Sequence, residues 1–313
     1  MSIAVVVPVR NRARLIVDAL ESVLAQTRPP DRLIVVDDAS TDGSAAAVER
    51  WIERRAPAFP TELVQRTECG GAGATRNAGV ARAAGCELIA FLDSDDLWYP
   101  RFLEYVAAAL MADPRAVAAA ADRRCLDAST GTESVQRMDR FTSRTTRQLL
   151  RYGPTGTSNT IVRAADFRAV GGFDPEVVCG EDTLLMLKLS LRGKWLHVPG
   201  VHTVYRYRVA DQVQEESSLS SRVDHYAYLT PLLERFFEEQ GGRRAVPDSV
   251  WKREISRRWC AAGANQESRG DCDRARSSYR KAVARWSCNP RARLALWRLA
   301  CTAPFSAVAR KSR

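Results

Sequence analysis

No stretch of this chain approaches the ~18 consecutive apolar residues that a membrane-crossing helix needs, so a transmembrane protein is not expected. The N-terminus also lacks the basic region, apolar stretch and cleavage site of a leader. It enters a strand pattern at once, Ile3-Ala4-Val5-Val6-Val7, and the expected location is cytoplasmic. Eight cysteines are present, yet no Cys-x-x-Cys pair occurs, which disfavours a disulfide framework or metal cluster and leaves reduced, packing cysteines as the expectation. The glycine-rich stretch beginning at Gly70 has no following Gly-Lys-Ser/Thr and no full Gly-x-Gly-x-x-Gly, so it is not a Walker loop. No nucleic-acid-binding module is recognised, although the sequence pI is about 9.5.

What is present suits a sizeable folded protein. Of 313 residues, 45% are hydrophobic and 27% charged, enough for one large domain and a smaller one. The net charge of +10, from 47 Lys and Arg against 37 Asp and Glu, favours anionic partners such as nucleotide phosphates or lipid headgroups.

The first half alternates short apolar runs with amphipathic stretches, the pattern of an α/β sheet covered by helices. Strands are expected at residues 3–8, 33–36, 62–65 and 88–92, with helices at 12–25, 43–54 and 74–84 between them. A further helix is expected from Trp98 to about Ala112, stopped by Asp113-Pro114, and one over 183–191. Residues 116–121 and 158–162 read as strands, 195–198 with 203–207 as a late strand pair, and 123–146 is polar and unassigned. After a boundary near residues 217–222 the chain reads as helical and Arg-rich. Two domains are therefore expected, 1–220 and an all-helical extension, 221–313. In the extension Gly263, Gly270, Ala275, Tyr279 and Ala282 have the spacing of one tetratricopeptide repeat, with an ordinary helical hairpin as the competing description.

The chemistry-bearing residues gather at expected strand ends. Asp93-Ser94-Asp95-Asp96 closes the apolar run Leu88-Ile89-Ala90-Phe91-Leu92, and Asp37-Asp38 closes an earlier one. Ligand sites of open α/β sheets sit at such ends. Acids flanking one residue can share a hard divalent cation, although Asp96 suits a helix cap and Asp37-Asp38 could simply begin a turn. The Gly70–Gly79 segment, carrying Arg76, offers backbone N–H groups and a guanidinium to a diphosphate, or else serves close helix packing.

Taken together, Val7-Pro8-Val9-Arg10-Asn11, Val35-Val36-Asp37-Asp38-Ala39-Ser40-Thr41-Asp42-Gly43-Ser44, Ala74-Thr75-Arg76-Asn77-Ala78-Gly79, Phe91-Leu92-Asp93-Ser94-Asp95-Asp96, Gly171-Gly172-Phe173-Asp174 and Glu181-Asp182 resemble the family 2 glycosyltransferases. Their order and spacing match through roughly the first two-thirds of the chain. The resemblance implies the GT-A fold, a Rossmann-like, mostly parallel mixed sheet flanked by helices. It also implies inverting transfer from a nucleotide-diphosphate sugar, often a UDP-sugar, with Mn²⁺ or Mg²⁺.

By that resemblance Pro8, Val9 and Arg10 line the nucleotide pocket, Asp38 contacts the base, and Arg76 approaches the diphosphate. Asp93, with Ser94 beside it, touches ribose or sugar, and Asp95 holds the metal. Asp182 is the general base, removing the acceptor proton; Glu181-Asp182 would equally suit a helix N-terminus. Many members carry a Tyr-Arg-x-His-like segment where this chain reads Tyr205-Arg206-Tyr207-Arg208, so Arg208 is a donor-side candidate that can neutralise a diphosphate but cannot ligate a metal. The segment Gly153-Pro154-Thr155-Gly156-Thr157-Ser158-Asn159 lies on the acceptor side or forms a turn. Glu181 is a further acceptor-side candidate, and so is Trp98, by stacking on a sugar, with burial in the core as its alternative.

The expected partners are a nucleotide-sugar and a glycan or lipid-linked acceptor, with no nucleic acid, and the setting is surface-polysaccharide or glycoconjugate assembly. Arginines of the extension interleaved with Trp259, Trp286 and Trp297 suggest a peripheral membrane or protein contact, at the inner face of the cell membrane, against a solvated basic face. The rival from another class is a non-catalytic scaffold that keeps the fold and acts through its tail.

Overall fold

Ile3–Val9 forms β1 in the computed structural model, and every residue of it except Pro8 is buried. A near-continuous apolar run of this kind suits a strand covered by helices on both faces. Residues 1–207, 209 and 224–301 are described, and the chain divides into two units, Met1–Ser218 and Leu219–Arg313.

In the first unit α1 (Ile16–Leu24) turns Ile16, Ala19, Leu20 and Val23 inward, the i, i+3, i+4, i+7 face of an amphipathic helix. β2 (Arg32–Asp37), α2 (Ser44–Arg55), β3 (Thr61–Gln65), α3 (Gly71–Arg82) and β4 (Leu88–Phe91) follow. β2 and β4 flank β1 in parallel, and β3 pairs in parallel with β2. α3 lies so close to β1 that a Cβ on Gly79 would come within 2.4 Å of Val6 Cγ1, so only glycine fits there.

Beyond β4 the sheet becomes mixed. β5 (Leu97–Trp98) and α4 (Phe102–Ala112) lead to β6 (Ala116–Asp127), which carries β7 (Glu133–Gln136) as an antiparallel partner. α5 (Thr145–Tyr152), β8 (Thr160–Arg163), α6 (Ala164–Ala169) and α7 (Glu181–Ser190) precede β9 (Lys194–Tyr207). The order across the sheet is β3-β2-β1-β4-β8-β6-β9-β5, with β7 off β6. β8 runs antiparallel to both β4 and β6, and β9 is parallel to β6. The C-terminal ends of β1, β2, β4, β6 and β9 and the N-terminal end of β8 therefore lie along one edge.

Two expectations are revised. Residues 195–198 and 203–207 belong to one strand rather than a pair, because slips in the β6–β9 register around Asp122 absorb the interruption as a bulge. Asp96 does not cap the following helix: α4 begins only at Phe102, and the Asp96 carboxylate is buried. The polar stretch 123–146 contains the end of β6, β7 and a 3-10 turn at Asp139–Phe141.

The second unit contains α8 (His225–Glu239), α9 (Gly242–Ala245), α10 (Asp248–Ser268), α11 (Cys272–Arg285) and α12 (Pro290–Cys301). α10 buries Trp251, Ile255, Trp259 and Ala262, and α11 buries Ala275, Tyr279 and Ala282. The missing Cβ of Gly263 admits the Tyr279 ring, whose Cε1 would stand 2.7 Å from it. Asp271 caps α11 by accepting the Arg274 N–H at 3.1 Å. Among the described residues no helix is long and apolar enough to cross a membrane.

Candidate active site

The edge defined by the sheet topology collects the acids found in the sequence. Asp37 and Asp38 follow from β2, and both are buried. Asp38 accepts the N–H groups of Gly70 and Gly71 at 2.9 Å each, with Arg66 at 3.5 Å and Arg10 at 3.8 Å beside it. It thus fixes the start of α3, and its oxygens are already engaged. Asp37 differs: one oxygen accepts the Ser40 N–H at 3.0 Å, while Oδ1 is buried without a partner among the described residues. Pro8 is partly exposed and the Arg10 side chain is 44% exposed, but Val9 points into the hydrophobic core. The expectation that the Val9 side chain lines a pocket is therefore corrected by the pleat of β1, which sends alternate residues to opposite faces.

Arg76 on α3 is buried between two carboxylates. Its Nη2 donates to Asp93 Oδ1 at 2.6 Å and its Nη1 to Glu181 Oε1 at 2.9 Å, while the guanidinium lies 5.3 Å from the Phe173 ring centre. These two acids offset the burial and drive the Arg76 pKa above its ordinary value. Arg76 is a strut joining the end of β4 to the start of α7. Glu181 is thereby occupied by Arg76, and its side chain is only 14% exposed, which counts against the expected acceptor-side role.

Within the Asp93–Asp96 turn each acid has a distinct environment. Asp93 Oδ2 accepts the Thr157 hydroxyl at 2.9 Å, so both its oxygens are held. Ser94 is buried. Asp96 Oδ1 accepts the Arg206 N–H at 3.1 Å, and burial followed by the charges of Asp95 and Asp93 pushes its pKa well above the usual carboxylate range. Among the described residues the Asp95 carboxylate has no side-chain hydrogen bond. Burial and then Asp93 raise its pKa, against the opposing charges of Arg12 and Arg206. Trp98 is 4% exposed, its Nε1 donates to Ser158 O at 2.6 Å, and its ring packs 4.6 Å from Phe102. The core reading of Trp98 holds, and the sugar-stacking one is set aside.

Asp182 stands at the first turn of α7, where its Oδ1 accepts the Thr183 N–H at 2.6 Å. Burial, then the Glu181 charge, raises its pKa to about 6. Such a carboxylate is ionised at neutral pH yet more basic than an exposed one.

A divalent cation can be tested against this donor set. Among the described residues no group of three His, Cys, Asp or Glu side chains could hold a metal. The oxygens of Asp95, which no other side chain among the described residues hydrogen-bonds, nevertheless offer a hard donor in a region where acids crowd one another. This fits a cation that completes its shell with ligand phosphate and water, as Mg²⁺ sites commonly do.

Arg208 lies outside the described residues. Three further residues shape the site, in roles that the sequence did not assign. Arg206 donates through Nε to the Asp95 carbonyl and through Nη1 to Asp18 Oδ2 at 3.2 Å, so it clamps the acidic turn to α1. Thr157 and Ser158, expected on the acceptor side or in a turn, hold Asp93 by side chain and backbone, Ser158 Oγ accepting the Asp93 N–H at 3.1 Å. The Tyr-Arg-Tyr-Arg run gave the signal for an arginine here, and the contacts of Arg206 with the Asp95 carbonyl and Asp18 gave its role. His202 bonds Pro199 O at 3.0 Å and packs against Tyr105, a structural position.

Residues 4–169 match the family described as Glycosyl transferase family 2. An uncharacterised glycosyltransferase of Nostoc sp. is 39% identical over 106 residues, 34% of this chain and 32% of its own. The chain spans about a third of the length of the curated relatives it matches. Among solved structures, the mannosyltransferase PcManGT from Pyrobaculum calidifontis, in complex with GDP-Man and Mn²⁺, is 22% identical with a TM-score of 0.61, covering 96% of this chain and 79% of that one. S. aureus TarS 1-349 in complex with UDP-GlcNAc is 19% identical with a TM-score of 0.61, covering 92% of each chain. Both likenesses concern the fold, which is GT-A.

Proposed function

The chain belongs to glycosyl transferase family 2, and from that premise we propose that it is a metal-dependent, inverting transferase moving a sugar from a nucleotide-diphosphate sugar, a UDP-sugar first among them, to a hydroxyl of a glycan or lipid-linked acceptor. The observation that carries this reading is that the Asp93–Arg76–Glu181 strut joins the turn holding Asp95, whose carboxylate has no side-chain hydrogen bond among the described residues, to the helix start holding Asp182, raised to about 6.

Pro8 and Arg10 flank the nucleotide, Asp37 Oδ1 offers an unspent acceptor to base or ribose, and Asp38 holds the adjoining glycine loop. Asp93 and Ser94 stand at the ribose or donor sugar. Asp95 would hold Mn²⁺ or Mg²⁺, which supplies charge to neutralise a diphosphate leaving group. Arg12 and Arg206 lie near the same acid, and Arg208 is a further donor-side candidate. Asp182 takes the proton of the acceptor hydroxyl as its oxygen bonds to the anomeric carbon; the bond from that carbon to the diphosphate oxygen breaks, and its electron pair leaves with the diphosphate.

We place this chemistry in surface-polysaccharide or glycoconjugate assembly. Residues 221–313, with a tetratricopeptide-like hairpin in α10 and α11, serve as the contact region, where the exposed Leu294 and Trp297 and the arginines of α12 meet an anionic membrane surface.

The test is donor turnover, followed as free nucleoside diphosphate across a panel of nucleotide-sugars with Mn²⁺ or Mg²⁺. Metal-dependent release from one donor, falling about 100-fold or more in Asp95→Ala, is expected. Equal rates in wild type and Asp95→Ala would sink the metal assignment, and no release with no metal-dependent nucleotide binding would favour the scaffold.

A further inference from the structure

Arg123 stands apart from the other arginines near this edge. Arg10 and Arg66 face Asp38, Arg76 holds Asp93 and Glu181, Arg124 pairs with Glu133 at 3.3 Å, and Arg206 pairs with Asp18 at 3.2 Å. Arg123 meets no carboxylate among the described residues. Its Nε donates to the neutral Gln136 Oε1 at 2.8 Å, its guanidinium lies 4.7 Å from the Tyr205 ring centre, and neither Nη makes a hydrogen bond there. Tyr205 stacks in turn on Tyr207, with ring centres 6.0 Å apart and planes at 20°. Arg123 pairs with Thr203 across the β6–β9 ladder, so Tyr205, two residues on, shares its face. The register slips just before Arg123, and bulges of this kind re-aim side chains.

The location ties this guanidinium to the proposed chemistry. A Cβ on Gly156 would lie 2.3 Å from Arg123 Nη1, so the guanidinium rests against the Gly156 backbone, and the next residue, Thr157, donates to Asp93. Asn159 Oδ1, buried and without a hydrogen-bond partner among the described residues, lies 2.5 Å from the same point and places negative partial charge beside the cation. The donor half of the sheet, β2, β1 and β4, ends at Asp37, Asp38 and Asp93. β6 lies on the other side of β4, so Arg123 sits across Asp93 from the nucleotide end.

We propose that Arg123 is a specificity-determining residue on the acceptor side, and that the acceptor carries an oxyanion, a phosphate or a carboxylate, close to the hydroxyl that is glycosylated. The inference rests on the transferase reading above. Gln136 and the Tyr205–Tyr207 ladder fix the guanidinium and leave both Nη groups for a bidentate oxyanion, which a Lys could bind only as a point charge. The other source of such an oxyanion is the donor's own diphosphate, and the experiment separates the two.

Calorimetry on the full chain, saturated with Mn²⁺ and whichever of UDP and GDP it binds, is run with glycerol 3-phosphate against glycerol and with glucuronate against glucose. At least one anionic probe is expected to bind in preference to its neutral counterpart. In Arg123→Gln that binding weakens about ten- to a hundredfold, the size of a lost charged hydrogen bond, and Arg123→Lys restores part of it. Nucleotide affinity in Arg123→Gln stays within about twofold, which also reports an intact fold. No preference for either anion in wild type, or unchanged anion binding in Arg123→Gln, overturns the proposal; weakened nucleotide binding with unchanged anion binding assigns the guanidinium to the diphosphate and overturns it too. If neither UDP nor GDP binds with Mn²⁺, the transferase reading itself fails, a result distinct from failure at Arg123.

Discussion

Each acid of the site takes its properties from what touches it. Asp93 is tied on both oxygens, Asp95 has no side-chain hydrogen bond among the described residues, and Asp182 is raised to about 6 by burial and Glu181. A general base must be unprotonated, so transfer should decline as pH falls through about 6 and level off above it; a kcat/KM profile that is flat from pH 5 to 8 contradicts this assignment. Arg76 neutralises two partly buried acids at once. Arg76→Met should cost about 3–5 kcal/mol, the usual penalty for stranding a buried ion-pair partner, read as a lower denaturant midpoint. Arg206 holds the Asp95 carbonyl, the Asp96 carboxylate and Asp18 together, and Arg206→Gln should weaken Mn²⁺-dependent nucleotide binding about tenfold while metal-free binding changes little.

At the scale of elements, the parallel half of the sheet was legible because β1, β2 and β4 are apolar runs with acids at their ends. The half beyond β4 was legible only in part: strands were expected at 116–121, 158–162, 195–198 and 203–207, but not their extent. β6 continues through Asp122, Arg123 and Arg124, whose polarity hides a strand that is buried at one end and carries side-chain partners at the other. β9 looked like two strands because its apolar pattern breaks at Pro199 and Gly200, where pairing with β6 slips. Trp98 and Glu181 had the right residue types for acceptor contacts, but only packing showed that one belongs to the core and the other to Arg76. The contact of α3 with β1 gives its own prediction. Gly79→Ala places a methyl 2.4 Å from Val6 Cγ1 and should destabilise by about 1–3 kcal/mol, with a matching drop in Tm, despite the better helix propensity of Ala.

For the whole molecule, the net charge of +10 and the exposed Leu294 and Trp297 on α12 point to sedimentation with anionic vesicles and not with neutral ones. Arg291→Glu with Arg293→Glu should lower that partitioning about tenfold or more, since each basic residue near such a surface contributes roughly 1 kcal/mol. The central claim is transfer by a base at the start of α7, beside a donor and metal site at the sheet edge. It is tested most directly by Asp182→Asn with the preferred donor and acceptor, measuring transfer and metal-dependent nucleotide binding side by side. Transfer should fall about 10²–10⁴-fold with nucleotide affinity unchanged. Transfer at the wild-type rate would contradict the claim.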